Sequence, residues 1–149
     1  MTPLIVIIIL TLDQFSKLLA SKNLLLNHPI PVIKGIVYFT LVQNRGAAFG
    51  ILKGQVFFFI LIALFVLVLI FLNFKTNRHK QSLLYLFSLS LIFAGGMGNL
   101  IDRIFFGYVI DFIDFRIWPV FNIADSAITI GAIILGWTIL FTKNASRNL

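Results

Sequence analysis

Residues 56–74 contain no charged side chain, and as a helix that stretch is long enough to cross the hydrocarbon core of a bilayer. Residues 82–101 repeat the pattern, and about 122–142 do so apart from one charge, Asp125, near their start. A further apolar run, residues 4–12, reaches spanning length only by continuing through Asp13, Gln14 and Lys17 to about Ala20. The runs are continuous rather than alternating, so among the structures lipid tolerates, helices are expected and a closed barrel is not. A mean hydropathy of +1.04 with 11% charged residues excludes a soluble globular fold, because a chain of 149 residues cannot hide that much apolar surface from water. The expected fold is therefore an all-α integral membrane protein. Four transmembrane helices, at about residues 4–20, 56–74, 82–101 and 122–142, form a single domain over 1–149. The N-terminal run lacks a basic n-region and a small-residue cleavage site, so it reads as a retained helix rather than a signal peptide.

Between the first two helices the chain changes character. Pro29 and Pro31 block a helix, and residues 32–42 are rich in β-branched and aromatic side chains. Asn44-Arg45-Gly46 signals a turn, and residues 47–52 are expected to begin a short interfacial helix. This predicts a small extramembrane β-rich subdomain, of one or two hairpins, over about residues 29–52. Residues 102–121 read as a mixed loop, with Pro119 barring a helix.

Four spans place both termini on one side. Lys75, Arg78, Lys80, Lys143 and Arg147 would then share one side, against Lys22, Lys34, Arg45, Lys53 and Arg116 on the other. The first set is denser and nearer the helix ends, where the positive-inside rule counts charge, so the termini are expected in the cytoplasm. The net charge of +7 forms no basic stripe. It suits anionic lipid headgroups and gives no reason to expect nucleic acid. With no Cys and two well-separated His residues, disulfides, thiolate chemistry and a zinc site are not expected, nor is any cofactor.

Five carboxylates serve the chain, all Asp, and four lie between Asp102 and Asp125. An ionised group at the centre of a membrane helix costs about 2.5–3.5 kcal/mol on insertion scales, so acids kept in such a chain are candidates for function. Asp13 and Lys17 are spaced i, i+4 with the acid first, the favourable order for an in-helix pair. Asn99 and Arg103 share a face at the end of the third span, with Asp102 beside them, and Gly95 and Gly98 permit close approach of a helix or an extended substrate. Helix packing alone accounts for the glycines but not for the amide and guanidinium that follow. Asn122 is placed to cap the last helix, with Asp125 three residues on as in a capping box. Capping also fixes where that carboxylate points.

The third helix exits and the fourth enters on one face, which brings Asp111 and Asp125 to the same rim. Two carboxylates that close cannot both ionise cheaply: one keeps a proton while the other serves as base. A water between them can be activated to attack a carbonyl whose oxygen the protonated partner polarises. The same pair also suits proton or cation transfer. Side-chain chemistry does not choose between Asp111 and Asp114 as the first member.

Five blocks resemble one family, in order and across nearly the whole chain. They are Asp13-Gln14-Phe15-Ser16-Lys17, Asn44-Arg45-Gly46-Ala47-Ala48-Phe49-Gly50, Gly95-Gly96-Met97-Gly98-Asn99-Leu100-Ile101-Asp102-Arg103, Val109-Ile110-Asp111-Phe112 and Phe121-Asn122-Ile123-Ala124-Asp125-Ser126. The chain resembles the lipoprotein signal peptidases, the signal peptidase II family. Ser16 stands where the family usually has Thr, which keeps the hydroxyl.

The resemblance implies a monomeric aspartyl endopeptidase of the bacterial inner membrane, with a periplasmic β-cradle and an active site at the outer leaflet. It would cut the signal peptide of prolipoproteins just before the diacylglyceryl-modified Cys. The motif register makes Asp111 and Asp125 the dyad, with Asn44, Gly46, Asn99, Arg103 and Asn122 lining or bracing the substrate site. Asp13, Lys17 and Asp102 would be structural. Its partners would be the lipidated precursor and membrane lipids, and the aromatic walls at Phe39, Phe49 and Phe112 suit acyl chains. Two readings from other classes compete. A small proton-coupled carrier would place its carboxylates near the bilayer midplane on broken helices. A non-enzymatic assembly subunit would tolerate loss of the dyad.

Overall fold

The computed structural model describes residues 2–46, 54–76 and 82–145. Its elements run α1 (Thr2–Asn23), β1 (Ile30–Ile33), β2 (Val37–Asn44), α2 (Val56–Thr76), α3 (Leu83–Phe106), β3 (Val109–Asp114) and α4 (Ile123–Ala145). All four helices contain windows long and apolar enough to cross a membrane. The expectation of four spanning helices with a small sheet holds, and the chain is an integral membrane protein. Much of the surface of α2 is exposed Phe, Leu and Val, as lipid contact requires. The interior lies on α3, whose buried positions include Ala94, Gly95, Gly98, Asn99 and Asp102.

Two features differ from the sequence expectation. First, residues 102–121 are not a loop throughout. Helix α3 continues past Asp102 and Arg103 to Phe106 and stops at Gly107, whose left-handed φ of 75° lets its N–H return to the Arg103 carbonyl. The polar side chains suggest an exit from the membrane, yet Asp102 is buried against α1 and has no reason to end a helix. Second, residues 109–114 form β3. Val109-Ile110-Asp111-Phe112-Ile113-Asp114 carries the β-branched and aromatic content of a strand, interrupted by acids.

The sheet is antiparallel in the order β1-β2-β3, so the cradle is completed by a strand from between α3 and α4. Register pairs Val42 with Asp111 and Asn44 with Val109, and a register irregularity lies between Phe39 and Val42. The expected interfacial helix at residues 47–52 falls outside the described residues, as do Arg78, His79, Lys80 and Arg147.

Close packing of α3 on α4 depends on missing side chains. A Cβ at Gly95 would strike the Ala124 carbonyl oxygen and come within 2.8 Å of Ile128 Cγ1. A Cβ at Gly98 would strike the Asp13 carboxylate. The close approach expected at these glycines is thus made by α4 and by a side chain of α1.

Candidate active site

Asn122 stands at the centre of the polar site. Its backbone precedes α4, and its Oδ1 accepts from the Asp125 N–H at 2.8 Å while Asp125 Oδ2 accepts from the Asn122 N–H at 3.3 Å, a reciprocal cap. Its Nδ2 donates to Asp111 Oδ1 at 2.7 Å, to Asn99 Oδ1 at 3.1 Å and to the Ile110 carbonyl at 3.3 Å. One fully buried residue therefore joins the two carboxylates, its side-chain amide donating to Asp111 and its backbone N–H to Asp125.

Each carboxylate has a second support. Asp111 Oδ2 accepts from Asn44 Nδ2 at 3.0 Å, across the β2–β3 pair. Asn44 is itself fixed, because its Oδ1 accepts from the Gly46 N–H at 3.0 Å. Asp125 Oδ1 accepts from Asn99 Nδ2 at 2.7 Å. Arg103 donates to the Asn99 carbonyl at 3.3 Å and to the Gly46 carbonyl at 3.5 Å, and lies over the Phe59 ring at 5.2 Å.

Asp111 is 1% exposed. Burial pushes its pKa from the ordinary 3.8 to about 7, with the neighbouring Asp125 charge adding to the rise. Hydrogen bonds from Asn44 and Asn122, and the charge of Lys17, oppose it.

Beneath the pair lies a second buried cluster. Lys17 Nζ sits 2.8 Å from Asp13 Oδ2 and 2.8 Å from Asp102 Oδ2, and donates to Asn99 Oδ1 at 3.0 Å. Gln14, which sequence reasoning left without a role, donates to Asp13, to Asp102 and to the Gly98 carbonyl. Its place beside Asp13 in an apolar helix was the available signal, since an unpartnered amide there would be costly.

Asp114 goes elsewhere. Its carboxylate accepts from Thr40 Oγ1 at 2.7 Å and from the Arg116 N–H at 2.8 Å, with the Arg116 guanidinium 3.6 Å away. Residues 111 and 114 of one strand point to opposite faces, which separates the two candidates that chemistry left open.

Two cavities meet at Asn99, Arg103 and Asp125. One of about 260 Å³ is walled by Asn44, Gly46, Asn99, Arg103, Asp125 and the 118–121 segment. The other, about 300 Å³, lies between α2, α3 and α4, where Phe59, Ile62, Val66 and Leu67 lead to Asn99, Arg103 and Asp125. Phe39 and Phe112, with ring centroids 6.3 Å apart, line a separate apolar cavity of about 290 Å³ against the end of α1. Phe49 lies outside the described residues. Among the described residues, no three His, Cys, Asp or Glu side chains converge where a metal ion could be held.

The arrangement joins two carboxyl groups of unequal surroundings in one hydrogen-bonded network, with Asp125 at the junction of a polar and an apolar cavity. Comparison with known proteins places that geometry in context. A family model described as signal peptidase (SPase) II matches residues 5–141. A lipoprotein signal peptidase of Halothermothrix orenii is 49% identical over 91% of this chain and 92% of its own length. Another, from Caldanaerobacter subterraneus subsp. tengcongensis, is 48% identical over 95% and 97%. A solved structure described as a bacterial membrane enzyme superposes with a TM-score of 0.87 at 35% identity, covering 99% of this chain and 91% of that one.

Proposed function

Since the chain belongs to the signal peptidase (SPase) II family, we propose that it is an aspartic endopeptidase that removes the signal peptide from prolipoproteins, cutting just before the diacylglyceryl-modified Cys. The observation that carries this reading is the Asn122 bridge, which ties Asp111 to Asp125 beside a cavity open to apolar surroundings.

In the working state the pair shares one proton. Burial and the charge of its partner keep that proton bound up to about pH 7. The ionised member takes a proton from water as the oxygen attacks the scissile carbonyl, and the protonated member gives its own to the carbonyl oxygen. Collapse of the tetrahedral intermediate breaks the C–N bond: the amine of the Cys leaves with a proton from one member while a hydroxyl of the intermediate returns its proton to the other, which restores the dyad. Asn44, Asn99 and Asn122 hold the carboxylates in place throughout. Arg103 and the backbone around Gly46 are available to grip the extended substrate.

The groove between α2, α3 and α4 suits an apolar segment that stays in the membrane, as signal peptide and acyl chains both must. The site would lie at the outer leaflet, with both termini cytoplasmic, and the protein would act as a monomer. A carrier is disfavoured because Asp111 and Asp125 lie on a strand and in the first turn of an unbroken helix.

The reading is tested by incubating the purified protein with a prolipoprotein in diacylglyceryl-modified and unlipidated forms. Shortening of the modified form alone is expected. Equal cutting of both, or of neither, would count against it.

A further inference from the structure

The cluster under the proposed dyad also reaches the backbone beside each of its members. Asp13 Oδ1 accepts from the Ala124 N–H at 2.9 Å, and Ala124 immediately precedes Asp125. Asp102 Oδ2 accepts from the Ile110 N–H at 3.1 Å, and Ile110 immediately precedes Asp111. Both carboxylates are ion-paired with one ammonium, that of Lys17. The same Nζ donates to Asn99 Oδ1, which leaves the Asn99 Nδ2 as the donor to Asp125 Oδ1.

We propose that Lys17, through Asp13, Asp102 and Asn99, is a positioning residue for the peptidase reaction, setting the backbone and amide groups that aim both members of the dyad. The inference rests on the dyad reading above and adds to it a role for α1, which supplies neither reacting carboxylate.

Several features favour positioning over mere cohesion. Lys17 is 1% exposed, and Asp13 and Asp102 are equally enclosed, so all three groups have been taken out of water. Such burial rarely improves stability over a well-packed apolar core, which makes stability alone a weak reason to keep the cluster. The two backbone contacts are symmetric about the dyad, one residue before each Asp, and the absence of a side chain at Gly98 leaves Asp13 the space to reach α4. An ammonium also presents three donors around one atom. It can serve Asp13, Asp102 and Asn99 together, whereas a planar guanidinium cannot place one nitrogen among all three. The positive charge of Lys17 draws down the Asp111 pKa as well.

The test uses full-length protein in detergent with a lipidated precursor peptide. Lys17→Met and Lys17→Arg are each compared with wild type for kcat, KM, apparent Tm and pH profile. Misplacing a reacting group by about 1 Å costs roughly 100-fold in rate. Folded Lys17→Met is expected to lose about that factor in kcat with KM changed less than about twofold. Its rate should also fall off at higher pH than in wild type, because the cation no longer holds the Asp111 pKa down. A folded variant with wild-type kcat and pH profile would overturn the proposal.

Should Lys17→Met not fold, Asp102→Ala decides. It leaves Lys17 paired with Asp13 and removes Oδ2, the one oxygen that serves both Lys17 and the Ile110 N–H. A kcat loss of at least about tenfold at unchanged KM supports positioning, and full kcat refutes it. Asp111→Asn run in parallel separates the two ideas. Turnover retained there sinks the dyad itself, whereas turnover abolished there but intact in the folded cluster variants sinks only the role of Lys17.

Discussion

In the proposed dyad, Asp111 would serve catalysis at a cost to the fold. A carboxyl whose pKa is higher in the folded than in the unfolded chain favours the folded state fully below its ordinary value of 3.8. That contribution is lost as pH rises through about 7. The difference amounts to roughly 4 kcal/mol once the group is ionised in both states. The apparent Tm of the detergent-solubilised protein should therefore fall between about pH 4 and pH 7, and Asp111→Asn, which cannot ionise, should flatten that slope. An equally steep fall in the variant would place the titrating group elsewhere. On the proposed mechanism, loss of the shared proton should also reduce kcat above about pH 7. Much at this scale was readable from the chain. Asp125 was marked by its place in a capping box, and Asn99 and Arg103 by their shared helical face. The links from Asp13 to Ala124 and from Asp102 to Ile110 were not, because hydrogen bonds to backbone across distant segments leave no spacing signature.

Among the elements, α3 is the one on which the others depend, and its glycines allow a graded comparison. Gly95→Ala would force a Cβ against the Ala124 backbone, at the turn of α4 that carries Asp125. Overpacking of that kind costs about 1–3 kcal/mol, and here it should also lower kcat by moving the dyad. Gly136→Ala, on α4, meets nothing within 4 Å. It should leave activity unchanged and add up to roughly 1 kcal/mol through helix propensity. Equal effects of the two on Tm and turnover would show that the α3–α4 contact is not what holds the site. The spans themselves were legible because lipid demands long apolar runs. The last turns of α3 were less so, since Asp102 and Arg103 looked like the edge of the membrane while buried partners let the helix continue. Strand β3 was concealed by the very acids that give it a role, as Asp111 and Asp114 break the apolar pattern that would have announced it.

For the whole molecule, the ends of α1 and α3 and the starts of α2 and α4 gather at the sheet, so a single end of the bundle holds the polar machinery. That end is proposed to face outward. With no native Cys, the topology can be read from single introduced thiols. Ile36→Cys, on the exposed turn between β1 and β2, should react with a membrane-impermeant maleimide applied outside. Lys75→Cys, at the far end of α2, should react only after permeabilisation, and the reverse pattern would invert the orientation. Hydropathy and charge gave this arrangement in outline, but the convergence of α3, β3 and α4 on Asn122 required three-dimensional packing. The decisive test is turnover of a lipidated precursor by folded Asp111→Asn, Asp125→Asn and the double variant. Each single change should reduce kcat by at least about 1000-fold, with the double variant scarcely worse, because the two carboxyls act as a unit. A single variant that retains turnover within about tenfold of wild type, or losses that multiply, would contradict a shared-proton dyad.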